Sequence, residues 1–195
     1  MNDGGKHIGL LFGSFNPIHI GHLMLANFMK EFHEMDEVWM VVSPQNPFKN
    51  SEILIDGQLR LEMVQIALQG QAGYKSCDIE FRMPVPSYTI HTLRELIKEY
   101  PLHQFSMIMG SDNIQSIYKW KDGNEIPELF KIYIYPRLGS ELKEKMEHKN
   151  LIYTDAPIIE ISSTFIREQL QWGKNMEFFL PAGVSTYIQD NNLYK

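Results

Sequence analysis

Positive charge is in short supply: 18 Lys and Arg stand against 24 Asp and Glu, a formal net charge of −6. A broad electrostatic nucleic-acid surface is therefore not indicated, and any phosphate must be held by a few local donors. Cysteine is nearly absent. Cys77 alone excludes an intrachain disulfide and any Cys-x-x-Cys zinc site, leaving it as inert packing or surface. No apolar run approaches the ~20 residues of a membrane span. The polar start Met1-Asn2-Asp3-Gly4-Gly5-Lys6 lacks the apolar segment of a signal peptide. The expectation is a cytoplasmic protein with no membrane and no nucleic-acid partner. Internal repeats and flexible linkers are missing too, so 1–195 is expected to be one domain. At 44% hydrophobic and 22% charged residues, the composition is that of an ordinary globular chain.

What is present is an alternation of short apolar runs and helical patterns. This predicts an α/β fold with a doubly wound, mainly parallel sheet flanked by helices. Ile8 to Phe12, Glu37 to Val42, Phe105 to Met109 and Ile132 to Tyr135 read as strands. Ser76 to Phe81 reads as a short or edge strand, and Leu151 to Tyr153 with Ile158 to Ile161 as the last strand region. Leu25, Phe28, Met29 and Phe32 form the apolar stripe of a first helix, spaced i, i+3, i+4 and i+7. Asp56 is placed to cap a helix with Leu61, Val64 and Leu68 inward. Ile90, Leu93, Leu96 and Ile97 form the inner face of another, and a final helix begins at Pro181 with Val184, Tyr187 and Ile188 on one side.

Two stretches carry chemistry. Gly13-Ser14-Phe15-Asn16-Pro17-Ile18-His19-Ile20-Gly21-His22 takes a buried strand through a turn into a helix. Such a turn leaves backbone N–H groups free where the helix dipole favours an anion, and phosphate is the usual guest. His19 and His22 lie three apart, on one side of the first turns. They are either satisfied core residues or donors to charge developing on phosphorus. Ile161-Ser162-Ser163-Thr164-Phe165-Ile166-Arg167 repeats the pattern: a strand end, then hydroxyls opening a helix. Ser162 or Ser163 serves as an N-cap or leaves donors for a ligand; neither has the Glu or Gln of a full capping box.

The first stretch resembles the H-x-G-H signature of the nucleotidyltransferase superfamily, and Ile161 to Arg167 resembles its I-S-S-T-x-I-R partner. Pro86-Ser87-Tyr88-Thr89-Ile90, Gly110-Ser111-Asp112-Asn113, Trp120 and the ending Leu180-Pro181 to Tyr194 resemble the bacterial nicotinate-nucleotide adenylyltransferase family. The match spans nearly the whole chain, in order. The resemblance implies adenylyl transfer from ATP to nicotinate mononucleotide, giving deamido-NAD and pyrophosphate, with Mg2+ accompanying the triphosphate and no protein metal ligand assigned. Gly13, Ser14, Phe15, Gly110 and Asp112 are implied as ATP contacts. His19 and His22 would hold the phosphates and stabilise the transition state. Ser162, Ser163, Thr164 and Arg167 would grip the triphosphate from the opposite helix, and Lys49 would meet phosphate from a Pro-rich loop.

On the acceptor side the resemblance implies Tyr88 and Thr89 at the nicotinate nucleotide, Trp120 stacked on the pyridine ring with Tyr118 nearby, and Arg137 as a weaker correspondence. Plain alternatives stand beside these roles: a surface lysine for Lys49, a core ring for Trp120, and for Asp112 a helix cap, since its spacing to Gln115 is that of a capping box. The chain departs from the family pattern in three places. His91 stands where aspartate is common, no histidine precedes Lys49, and Pro136-Arg137-Leu138-Gly139 replaces Arg-Pro-Gly. The competing functions are a phosphopantetheine or other small-acceptor adenylyltransferase, and a non-catalytic nucleotide sensor on the same fold. Oligomeric state, monomer or homo-oligomer, is open.

Overall fold

Strands buried on both faces, their side chains alternating between the two, set the layers. In the computed structural model, which describes residues 4–45, 54–140 and 145–195, β1 is His7–Gly13. Its Leu11 packs into one core cluster while Ile8 and Leu10 enter another on the opposite face of the sheet. β2 (Glu37–Val42) does the same, sending Val38, Met40 and Val42 one way and Trp39 and Val41 the other. Period two with both faces apolar is the pattern of a sheet covered on both sides. The remaining strands are β3 (Tyr74–Cys77), β4 (Gln104–Gly110), β5 (Lys131–Tyr135) and β6 (Leu151–Tyr153). All neighbours are parallel, in the order β3-β2-β1-β4-β5-β6.

Helices α1 (Ile20–Phe32), α2 (Gly57–Leu68), α6 (Ser163–Gln171) and α7 (Val184–Asp190) cover one face. α3 (Thr89–Glu99), α4 (Ser111–Ile114) and α5 (Glu125–Leu129) cover the other. Leu25, Ala26 and Met29 of α1 are buried against the sheet; each large apolar side chain so buried contributes ~2 kcal/mol. The strand order reverses between β1 and β4, and in open α/β sheets ligands bind outside the carboxyl ends at that switch point. Here those ends are Gly13 and Gly110. Among the described residues, no helix is long and apolar enough to cross a membrane.

Several local expectations are corrected. Phe32 is exposed; α1 ends on it, and its ring stacks on Phe28 at 4.6 Å instead of entering the core. Ile97 is also exposed, and buried Thr92 completes the inner face of α3 because Glu80 takes its hydroxyl. The alternation of Ser76 to Phe81 registers burial of Cys77 and Ile79, but the chain leaves the sheet after Cys77 and forms a 3-10 turn over Ile79–Arg82. Residues 158–161 are not a strand: β6 ends at Tyr153, and Pro157, lacking an N–H, offers no ladder donor. Asp112 does not cap its helix. β4 runs straight into α4 with Gly110 as N-cap, which leaves Asp112 inside the first turn. Asp56 does cap α2, accepting the Gln58 N–H at 2.8 Å. The short helix α5 has no counterpart in the sequence reading.

Candidate active site

The turn after β1 is shaped by close approaches. Phe15 adopts a left-handed conformation (φ 47°) although it carries a bulky side chain. Its buried ring covers Gly13, where a Cβ would come within 2.9 Å of the ring. Gly21 is equally constrained: its Cβ would sit 3.0 Å from His19 Nδ1 and 3.2 Å from Ile159. The glycine between the two histidines thus makes room for the imidazole of the first.

His19 is the N-cap of α1 and His22 lies in its first turn. Their rings stack at 3.7 Å, and the Phe15 ring meets His22 edge-on at 5.0 Å. The His19 backbone N–H donates to His22 Nδ1 at 3.2 Å. That bond makes Nδ1 the acceptor, so a neutral His22 carries its proton on Nε2. Burial, with a smaller contribution from the nearby Arg137 guanidinium, lowers the His19 pKa from 6.5 to about 4. Its Nδ1 is buried without a hydrogen-bond partner, as is Ser14 Oγ. Buried polar atoms are nearly always paired, so two orphans in one turn point to groups that a ligand completes.

Helix α6 is fastened onto this turn. Ser163 Oγ donates to Pro17 O at 2.9 Å, and Arg167 Nη1 donates to Asn16 O at 2.8 Å. Ser162 is the N-cap, its Oγ accepting the Phe165 N–H at 3.1 Å. By helix geometry the N–H groups of Ser163 and Thr164 have no intrahelical acceptor. Ser163 has one hydroxyl proton and spends it on Pro17, so toward a phosphate its backbone N–H is the available donor. Arg167 also reaches Thr164 Oγ1 at 3.3 Å, and its five-proton fork exceeds these two bonds. The two sequence motifs therefore meet as one structure across the carboxyl edge of the sheet.

Two braces of this turn escaped the sequence reading. Arg60 is fully buried on α2, and its guanidinium donates to Ile55 O (3.1 Å), Ser14 O (2.5 Å), Ser43 O (2.7 Å) and Pro44 O (2.6 Å). Tyr194, next to the last residue, donates its hydroxyl to Asn16 Oδ1 at 2.9 Å. The available signal for Arg60 was a cation four residues before Val64 and eight before Leu68, on the apolar stripe itself. Tyr194 belongs to the family-like ending, but nothing in that ending marks its bond to Asn16.

Across the switch point, Gly110 lets Asp112 and Arg137 converge: a Cβ there would lie 2.3 Å from Asp112 Oδ1 and 2.7 Å from Arg137 Cδ. Arg137 Nε stands 3.5 Å from Asp112 Oδ2, and its N–H donates to Ser111 Oγ at 3.0 Å. Arg137 thus stands beside Asp112 and Ser111, close enough to His19 for its charge to be felt there. Tyr88 caps α3 through its backbone alone, and Thr89 opens the helix. Trp120 is half-buried against the core, while Tyr118 is exposed. Among the described residues, no ring contact joins Tyr88, Tyr118 and Trp120. Lys49 lies outside the described residues. Cys77 is buried, and burial pushes its thiol up to about 11, consistent with inert packing.

A family model described as cytidylyltransferase-like matches residues 10–169, from β1 to α6. The chain belongs to this nucleotidyltransferase class. A "Probable nicotinate-nucleotide adenylyltransferase" of Flavobacterium johnsoniae is 49% identical over 190 residues, covering 96% of this chain and 98% of the relative. One of the same name from Bacteroides fragilis is 48% identical over 185 residues, covering 94% and 92%. These relatives place the chain within the nicotinate-nucleotide adenylyltransferase family. The structure of the Plasmodium falciparum nicotinic acid mononucleotide adenylyltransferase complexed with NaAD has the same fold, with a TM-score of 0.79, 22% identity and 97% of both chains covered.

Proposed function

We infer that this protein transfers the adenylyl group of ATP to nicotinate mononucleotide, releasing pyrophosphate and forming deamido-NAD. The observation that carries the reading is the junction of the two motifs: Ser163 on Pro17 and Arg167 on Asn16, beside the orphaned Ser14 Oγ and His19 Nδ1. A phosphate oxygen of the mononucleotide attacks the α-phosphorus of ATP. The bond from that phosphorus to the bridging oxygen breaks, and pyrophosphate departs. No protein nucleophile is needed; positioning and charge stabilisation supply the catalysis.

In this reading the backbone of Gly13, Ser14 and Phe15 lies against ATP, and Gly110 and Asp112 contact the nucleoside. His19 and His22 donate to the phosphates, where the His22 Nε2 proton is set by the bond at Nδ1. The first-turn N–H groups of Ser163 and Thr164, with Ser162, Arg167 and Lys49, complete the triphosphate cradle. Arg137 joins the residues that meet the nicotinate nucleotide. Tyr88, Thr89, Tyr118 and Trp120 receive the nicotinate nucleotide. Among the described residues no three His, Cys, Asp or Glu side chains gather to hold a metal. Mg2+ would enter with the triphosphate, a hard ion commonly bound by phosphate oxygens, water and one or two carboxylates. We place the reaction in the cytoplasm.

The test is pyrophosphate release with Mg-ATP and, separately, nicotinate mononucleotide, its amide and phosphopantetheine. Release with the pyridine mononucleotide supports the reading. Release with phosphopantetheine alone would replace the acceptor, and no release with any acceptor would leave a nucleotide sensor.

A further inference from the structure

Glu80 lies in the 3-10 turn after β3, only 3% exposed. Each carboxylate oxygen accepts one hydroxyl: Ser87 Oγ donates to Oε2 at 2.7 Å and Thr92 Oγ1 to Oε1 at 2.9 Å. Neither Arg82 nor Arg94 pairs with it. Arg82 pairs with Glu99 at 3.2 Å and lies 3.8 Å from Asp78, and Arg94 pairs with Glu125. A carboxylate taken from water and met, among the described residues, by two hydroxyls is costly for a fold, and an apolar trio in the same place packs without that cost.

The two hydroxyls it holds bracket one segment. Ser87 precedes Tyr88 and Thr89; Thr92 follows them by one turn of α3. Thr92 also returns to this segment through its backbone, its N–H donating to Tyr88 O at 3.1 Å. The carboxylate thus fixes both ends of the stretch that opens α3, whose N-cap residue supplies no side-chain bond of its own.

We propose that Glu80 is a positioning residue for the acceptor, holding Tyr88 and Thr89 in the conformation that receives the pyridine mononucleotide. The proposal rests on the acceptor reading above, in which Tyr88 and Thr89 meet that nucleotide. Glu80 itself touches no substrate. Its removal releases the acceptor segment and leaves the triphosphate cradle, built on β1, α1 and α6, in place.

Steady-state kinetics of Glu80→Gln separate this role from a purely structural one. Glutamine keeps the shape but presents an NH2 where one hydroxyl must donate. The KM for nicotinate mononucleotide is expected to rise about tenfold, the scale of a lost hydrogen bond to a charged group. The KM for ATP and kcat are expected to stay within about twofold of the parent values, since no donor-side bond is touched. Ser87→Ala, which removes one bond and keeps the carboxylate, should raise the same KM by a smaller factor and add little on top of Glu80→Gln. Should Glu80→Gln fail to fold, Ser87→Ala and Thr92→Val carry the test. Unchanged acceptor KM in the folded variants, or an equal loss for both substrates, overturns the proposal. Failure of the unmodified protein to use the mononucleotide defeats the parent reading instead.

Discussion

The two halves of the site are built differently. Around the turn 13–19, the bracing bonds run from side chains far away in sequence to backbone carbonyls: Arg60 to Ser14, Ser163 to Pro17, Arg167 to Asn16. Tyr194, equally distant in sequence, adds a bond to the Asn16 side-chain oxygen. The proposed acceptor half has exposed Tyr88 and Tyr118, a half-buried Trp120 and, among the described residues, a buried brace at Glu80. A half whose groups stabilise charge at phosphorus must be in place before the reaction, because reorganisation at that moment costs rate. A half that only binds a flat ring can leave its aromatics to close on the ligand.

The comparison breaks most sharply at Arg60. Arg60→Met removes the donor from four carbonyls at once and is expected to cost about 3 kcal/mol of stability, the scale of breaking a buried charged network. Urea unfolding measures it, and the loss should appear without ligand. His22→Ala strikes the chemistry instead. Turnover should fall at least ~100-fold, the effect of losing one transition-state donor, with an unchanged unfolding midpoint. A folded variant with normal turnover would return His22 to plain packing.

Trp120→Ala sharpens the acceptor side. Loss of stacking on a flat ring is worth ~1–3 kcal/mol, so the mononucleotide KM should rise roughly tenfold or more while the ATP KM holds. A variant that loses stability but no acceptor affinity would make Trp120 a core ring only. Tyr194→Phe is the mildest. It deletes one buried hydrogen bond, about 1 kcal/mol, and should raise the ATP KM a few-fold without moving that of the acceptor.

The strand, turn and helix starts of the proposed donor half were largely legible in the sequence, because its residues stand in two short runs whose local geometry is set by neighbours. Gly13, Gly21 and the paired histidines announce a strand, a turn and a helix start. What was not legible depends on tertiary contact. Nothing near Arg60 says that Ser14 and Ser43 carbonyls will surround it, and Glu80 reads as one polar step in an alternating run. Asp112 shows how spacing misleads: the capping-box pattern with Gln115 is real, but β4 ends where α4 begins, and the cap falls to Gly110. Residues 158–161 look like a strand by composition, yet they lead α6 back over the first turn, Ile159 beside Gly21.

His19 offers the most direct measurement. Its neutral form is favoured in the free protein, where burial holds the pKa at about 4, below the ordinary 6.5. As pH falls from about 6.5 to about 4, the unfolded chain takes the proton first, and the native fold loses stability through that window. A triphosphate seated in the cradle places negative charge against the same ring and reverses the preference. Titrating the His19 ring resonances by NMR, with and without Mg-ATP, should show its pKa rising on binding, toward or beyond 6.5. A His19 pKa that stays where it was while ATP demonstrably binds would contradict the assignment of this turn as the triphosphate site.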